Sequence, residues 1–114
     1  SRVAEMITEA LALLLLQGLK DPRLLNVSVT RVSVTDDLKQ AIIYYTVSGG
    51  PRQEKEAALG WTKAKGFIRS HLAEKLQLRH APEPLFKRDL TAARQERIEQ
   101  LLMEIKEEEN EPSP

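Results

Sequence analysis

Residues 27–47 constrain the fold of this 114-residue chain more tightly than any other segment. Val27, Val29, Val32 and Val34 alternate with polar residues, as in a strand with one buried face. The alternation slips by one place between Val29 and Val32, and a bulge or bend near Thr30-Arg31 would absorb the slip. Thr35-Asp36-Asp37-Leu38-Lys39 reads as a turn, and Ala41 to Val47 as a second strand rich in β-branched and aromatic residues. The two form an antiparallel hairpin or meander pair, ended by Gly49-Gly50-Pro51.

Helical periods flank this pair. Val3, Met6, Ile7, Ala10, Leu11 and Leu14 predict a first helix from residue 3 to about 17, with Gly18 as its stop. Asp21-Pro22-Arg23 then turns the chain, because proline fixes its own φ and biases Asp21 away from the helical region. Residues 53–77 are helical by period, with Ala57, Trp61, Ala64, Ile68, Leu72 and Leu76 as the apolar stripe. Gly66 interrupts it. A glycine inside a helix costs roughly 0.5–1 kcal/mol relative to alanine, so Gly66 is expected to mark a bend, a close contact or a backbone approach. In a straight helix Lys65 falls inside the stripe and Phe67 outside it; a bend would re-aim both. Pro82 and Pro84 end the helix, and Leu85-Phe86-Lys87 reads as a short third strand. Ile98, Leu101, Leu102 and Ile105 predict a final helix from about 92 to 107. The acidic segment 107–114 is expected to be disordered. No internal repeat is visible.

Length and an apolar content of 41% fit one globular domain with a single core. Without cysteine, disulfides and thiolate metal sites are excluded. The longest apolar run, Ala10 to Leu16, is too short to span a bilayer. Glu5 and Glu9 before it are unlike the basic lead of a signal peptide. The expectation is a cytoplasmic protein, and Ser1 in place of methionine is read as processing or trimming. Net charge is zero, but its distribution is uneven. Arg52 to Arg88 holds nine Lys/Arg against four Asp/Glu, while Asp89 onward holds three against eight. A basic middle and an acidic end can therefore face different partners.

No catalytic constellation is visible. Gly49-Gly50 is followed by proline, not by a phosphate-cradling Lys-Ser/Thr. His71 and His80 do not sit at metal-ligand spacing, His71 reads as a packing or surface residue, and Asp36-Asp37 occupies a turn. Trp61, Phe67 and Phe86 read as core rather than stacking platforms. The basic residues are the better lead, since Arg and Lys neutralise phosphates with little sequence selectivity. A helix break at Gly66 would add a helix N-terminus aimed at anions and let a sugar-phosphate backbone come close. Folded RNA shape is the expected ligand.

The order Asp21-Pro22-Arg23, Val27-Ser28-Val29-Thr30, Val32-Ser33-Val34, Asp37-Leu38, Ala41, Ala64-Lys65-Gly66-Phe67-Ile68-Arg69, Leu78-Arg79, Pro82-Glu83, and Phe86 with Asp89 resembles bacterial ribosome-binding factor A. The resemblance runs from Arg2-Val3 to about Ile105. It implies an α+β, KH-like (type II) domain over 1–106, ordered α-β-β-α-kink-α-β plus a C-terminal helix, with a three-stranded sheet and helices packed on one face. Ala64, Lys65 and Gly66 match the family's Ala-x-Gly kink between two helices. The family binds the immature small (30S) ribosomal subunit and its 16S ribosomal RNA, assists late assembly and rRNA processing, and is associated with growth in the cold. The resemblance implies no enzyme activity, no cofactor, no metal, no membrane or small-molecule substrate, and a monomer. Pro84 departs from the family's Pro-Glu-Leu-x-Phe and removes a backbone donor at the start of the third strand.

The residues expected to touch RNA are Lys63, Lys65, Gly66 and Arg69, flanked by Arg79, His80, Lys87 and Arg88, with Arg23 and Arg31 as further candidates. Asp21 and Pro22 are expected to shape a turn, and Asp89 to cap or anchor the last helical segment. The competing expectation is a protein-interaction adaptor that uses the amphipathic C-terminal helix without RNA contact.

Overall fold

The computed structural model describes residues 2–110. Helix α1 (Arg2–Leu13) continues into a wide turn, Leu14–Gly18, in which the Leu19 amide donates to the Leu14 carbonyl at 2.7 Å. This i+5 closure ends the helix at Gly18. Asp21 then caps a short 3-10 turn, Pro22–Leu24, by accepting the Arg23 amide at 2.9 Å.

Strands β1 (Val27–Val34) and β2 (Gln40–Val47) pair antiparallel, and β3 (Glu83–Arg88) joins β2 in parallel, giving the order β1-β2-β3. The bulge expected near Thr30-Arg31 is present: Val29 faces Tyr45 and Arg31 faces Tyr44, so Thr30 is the extra residue. It restores the inward phase for Val32 and Val34. In the turn, the Asp37 carboxylate accepts from the Thr35 hydroxyl and the Lys39 amide, a local structural role. Strand β3 starts at Glu83, two residues before the expected Leu85, and keeps Pro84 opposite Ala41. The Glu83 amide donates to Lys39 O at 2.8 Å. Ladder donors alternate, so the nitrogen of Pro84 faces away from β2 and its missing hydrogen leaves no ladder bond unmade.

Helix α2 (Pro51–Lys75) connects β2 to β3. It closes on Gln77, whose φ of 53° marks a left-handed cap, with Leu78 N bonded to Ala73 O. Its stripe packs as expected: Ala57, Trp61, Ala64, Ile68 and Leu72 are buried and Leu76 half-buried. They meet Ile7 and Leu11 of α1, Leu14 of the wide turn after it, and Ala41, Ile43 and Tyr45 of β2. With α1 and α2 on one face of a three-stranded sheet, the architecture is α+β and KH-like. Two expectations are corrected within the helices. No break divides α2 at Ala64, Lys65 and Gly66, because the hydrogen-bonded helix runs through all three and no second N-terminus forms there. Lys65 is accordingly half-buried and Phe67 is 55% exposed, as the phase of an unbroken helix places them.

Helix α3 (Thr91–Asn110) covers 20 residues and buries none of them. The radius of gyration is 18.6 Å against about 13 Å for a compact domain of this length, because α3 projects from the body. The segment expected to be disordered from 107 is thus helical to Asn110, while 111–114 lies outside the described residues.

Candidate nucleic-acid interface

Of the ten residues expected to touch RNA, nine fall into three groups, and Gly66 stands exposed on α2. In the first, α2 lies along the segment that enters β3. Lys65 Nζ donates to Glu83 Oε1 at 2.8 Å, and Arg69 Nε donates to the Ala81 carbonyl at 3.3 Å. The Lys65 amine holds the Glu83 carboxyl below its ordinary pKa. Arg79 and His80 are exposed on the loop beside them. Between α2 and β3 lies a crevice of about 310 Å³, bordered by Thr62, Lys65 and Leu85 with Trp61 and Phe86 behind them. Those two rings stack at 4.3 Å, and the indole N–H of Trp61 has no partner among the described residues.

The second group sits where the 22–24 turn crosses α2. Arg23 closes on Asp21 through Nε at 2.9 Å and Nη2 at 2.6 Å, which lowers the Asp21 pKa to about 2. Lys63 is exposed within electrostatic reach of the same carboxylate. Gly60 lies beneath: a Cβ there would stand 3.1 Å from two atoms of Leu24 and 3.2 Å from Arg23 Cβ. The glycine in close contact is therefore Gly60, while a Cβ on Gly66 would meet nothing within 4 Å. No local sequence pattern joins Gly60 to Leu24; the contact exists only in the folded chain.

The third group gathers at the far end of the sheet. Arg31 places its guanidinium 3.9 Å from the Tyr44 ring centroid, Lys87 is exposed, and Arg88 Nη1 donates to Glu54 Oε2 at 2.7 Å. Asp89 anchors α3 as expected. Its Oδ1 accepts the Thr91 amide at 2.9 Å and its Oδ2 accepts the Thr30 hydroxyl at 2.7 Å. Bonds from Thr91 and then Thr30 lower its pKa to about 2. A lowered pKa favours folding above the ordinary value of 3.8, and that contribution disappears as pH falls toward 2. Asp89→Ala is expected to melt below the wild-type chain at neutral pH, with the difference closing between pH 3.8 and about 2. Thermal melts across that range check it, and a constant gap would contradict it.

Pairing thus divides the candidates. Lys65, Arg88 and Arg23 are held in ion pairs, Arg69 on a carbonyl and Arg31 on a ring. Lys63, Arg79 and Lys87 have no ion-pair partner among the described residues, and neither has Arg94, which sequence reasoning passed over. Tyr44 was also missed, although Ala41, Ile43 and Tyr45 facing inward required it to face out. Phe67 is not core but lies near His71, ring centroids 6.2 Å apart. Among the described residues no cluster of three or more His, Cys, Asp or Glu side chains can hold a metal ion, and no helix is long and apolar enough to cross a membrane.

Comparison with known proteins places this geometry in a lineage. The profile of Ribosome-binding factor A matches residues 1–102. Ribosome-binding factor A of Geobacter metallireducens is 46% identical over 108 residues, covering 95% of this chain and 92% of that protein. The crystal structure of ribosome-binding factor A from Thermus thermophilus superposes with a TM-score of 0.65 at 23% identity, covering 76% of this chain and 92% of that one. A homology model of the Thermus thermophilus factor, fitted into a cryo-EM map of a 30S–RbfA complex, superposes with a TM-score of 0.63 at 24% identity, covering 75% and 90%. These likenesses, joined to the matching fold, show that the chain belongs to the ribosome-binding factor A family.

Proposed function

We propose that this chain binds the immature small ribosomal subunit through its 16S ribosomal RNA and assists late assembly and rRNA processing by binding, without catalysis. The observation that carries this reading is family membership, in a family one of whose members has been fitted into a map of a 30S complex. The charge layout supports it. Lys63 on α2 and Arg79 on the loop after it are exposed with no ion-pair partner among the described residues, and Lys87 adds a third such charge on the sheet. Each such cation that meets a phosphate releases condensed counterions, so affinity falls linearly in log salt. Binding of this kind stabilises one RNA conformation and ends when the mature conformation no longer fits.

Co-sedimentation with immature and mature small subunits across a salt series tests it. The chain is expected to pellet with immature subunits and to leave them steeply as salt rises. Changing Lys63, Arg79 and Lys87 together to alanine is expected to lower the log–log slope by about 2–3 while leaving the melting midpoint nearly unchanged. Salt-independent association would overturn it. One observation favours a second role beside this one: Ile98, Leu101, Leu102 and Ile105 form an apolar stripe on α3 that no described residue covers, as a helix used for protein docking would.

A further inference from the structure

Among the described residues, the start of α3 adjoins the sheet face opposite α1 and α2 at one end, and the bulge at Thr30 decides what stands on that face. Without the extra residue, Arg31 would follow Val27 and Val29 toward the core; with it, Arg31 points outward, directly opposite Tyr44. Tyr44 is in turn in register with Lys87 of β3, so Arg31, Tyr44 and Lys87 form one row across all three strands. The neighbouring row on the same face is Ser33, Ile42 and Leu85. The guanidinium of Arg31 lies over the Tyr44 ring, giving a flat cationic and aromatic platform at the centre of the first row.

A cavity of about 160 Å³ adjoins this platform, lined by Arg31 and Tyr44 from the sheet, Asp89 and Leu90 from the connection, and Thr91 and Arg94 from α3. Arg88 reaches its edge but pairs with Glu54. The carboxylate present, Asp89, already accepts from Thr30 and Thr91, and it occupies the first amide of α3. The helix end itself is therefore not the anion site. Arg31, Lys87 and Arg94 keep their charge uncompensated by any ion pair among the described residues. The cavity is smaller than ordinary small-molecule pockets, which run from about 300 Å³ upward. It suits one group of an extended ligand, not a whole one.

We propose that this sheet face is a second RNA-contact surface, on which an unstacked base lies against the Arg31–Tyr44 platform while Lys87 and Arg94 hold the flanking phosphates. Unstacked bases are taken up on aromatic rings and arginine planes, and the phosphates to either side need cations a few ångströms from the ring. The row supplies both. The surface lies on the opposite side of the sheet from α2, which carries Lys63, so one strand cannot lie flat on both. The inference rests on the reading that the ligand of this chain is RNA.

The test uses the full chain with a fluorescein-labelled oligouridylate of about twelve nucleotides, read by anisotropy over a salt series. Tyr44→Ala is expected to weaken binding about tenfold, and Tyr44→Phe to keep it, because every base stacks on either ring. Lys87→Gln and Arg94→Gln are each expected to reduce the log–log salt slope by about 0.7. Arg94 is exposed on a helix that buries nothing, so its change leaves the fold intact. Wild-type behaviour in both Tyr44→Ala and Arg94→Gln would overturn the surface. Co-sedimentation of the same variants separates the two claims. If the chain pellets with immature subunits while the oligouridylate ignores these changes, this surface falls and the ribosomal reading stands. If the chain never pellets but the oligouridylate responds, the reverse holds.

Discussion

Trp61→Ala is expected to cost about 3–5 kcal/mol, the usual range for removing a large aromatic side chain from a core. The residue is 1% exposed, stacks on Phe86 at 4.3 Å and tilts against Tyr45 at 5.5 Å. It is the point where α2 meets both β2 and β3. Alanine would leave a void that neither ring can fill without leaving its own strand. At roughly 4 °C per kcal/mol for a chain of this size, the midpoint should fall by more than about 10 °C. Trp61→Phe keeps the stack and also removes a buried donor with no partner among the described residues, so it should recover most of the loss. Chemical denaturation of both variants measures this. A loss below about 1 kcal/mol in Trp61→Ala would show that the void collapses.

The second large effect is a contrast between two glycines of α2. Alanine in place of an interior helical glycine gains about 1 kcal/mol from backbone propensity. At Gly66 nothing opposes that gain, since the new methyl meets open space. Gly66→Ala should therefore be more stable than the wild-type chain by about that amount. At Gly60 the methyl would press on Leu24, which is 4% exposed, and on the Cβ of Arg23, which Asp21 holds in place. Overpacking of this kind costs about 1–3 kcal/mol, so Gly60→Ala should fall below Gly66→Ala by that margin. Equal stabilities would refute the assignment of the packing role to Gly60. Subunit binding by Gly66→Ala adds a functional reading: unchanged affinity means that no ligand backbone needs the open space there.

Legibility in the sequence followed the range of the interactions. The bulge at Thr30 was readable because four valines carry a two-residue period, and a slip in that period has few physical remedies. The stripe of α2 was readable for the same reason, as was the anchoring role of Asp89, whose bond to the Thr91 amide is local, while its bond to Thr30 on β1 was not. Gly66 misled because a helical penalty shows that a glycine is present at a cost, not that the cost is put to use. Gly60 escaped notice because Leu24 comes from a turn 36 residues earlier. The basic cluster split for a related reason. Charge counting records Lys65 and Arg88 as available, whereas folding brings Glu83 and Glu54 against them.

Both margins of the sheet carry irregularities, and together they limit how copies of this protein can meet. An exposed strand edge is a template for another strand, and three-stranded sheets leave two such edges. Strand β1 interrupts its edge with the bulge at Thr30, which twists the strand away from flat pairing. Strand β3 interrupts its edge with Pro84, whose nitrogen has no hydrogen to offer an incoming chain. A fourth strand therefore finds a gap on either side, and the domain can stay dispersed at the high concentrations in which partly folded β-structure otherwise aggregates.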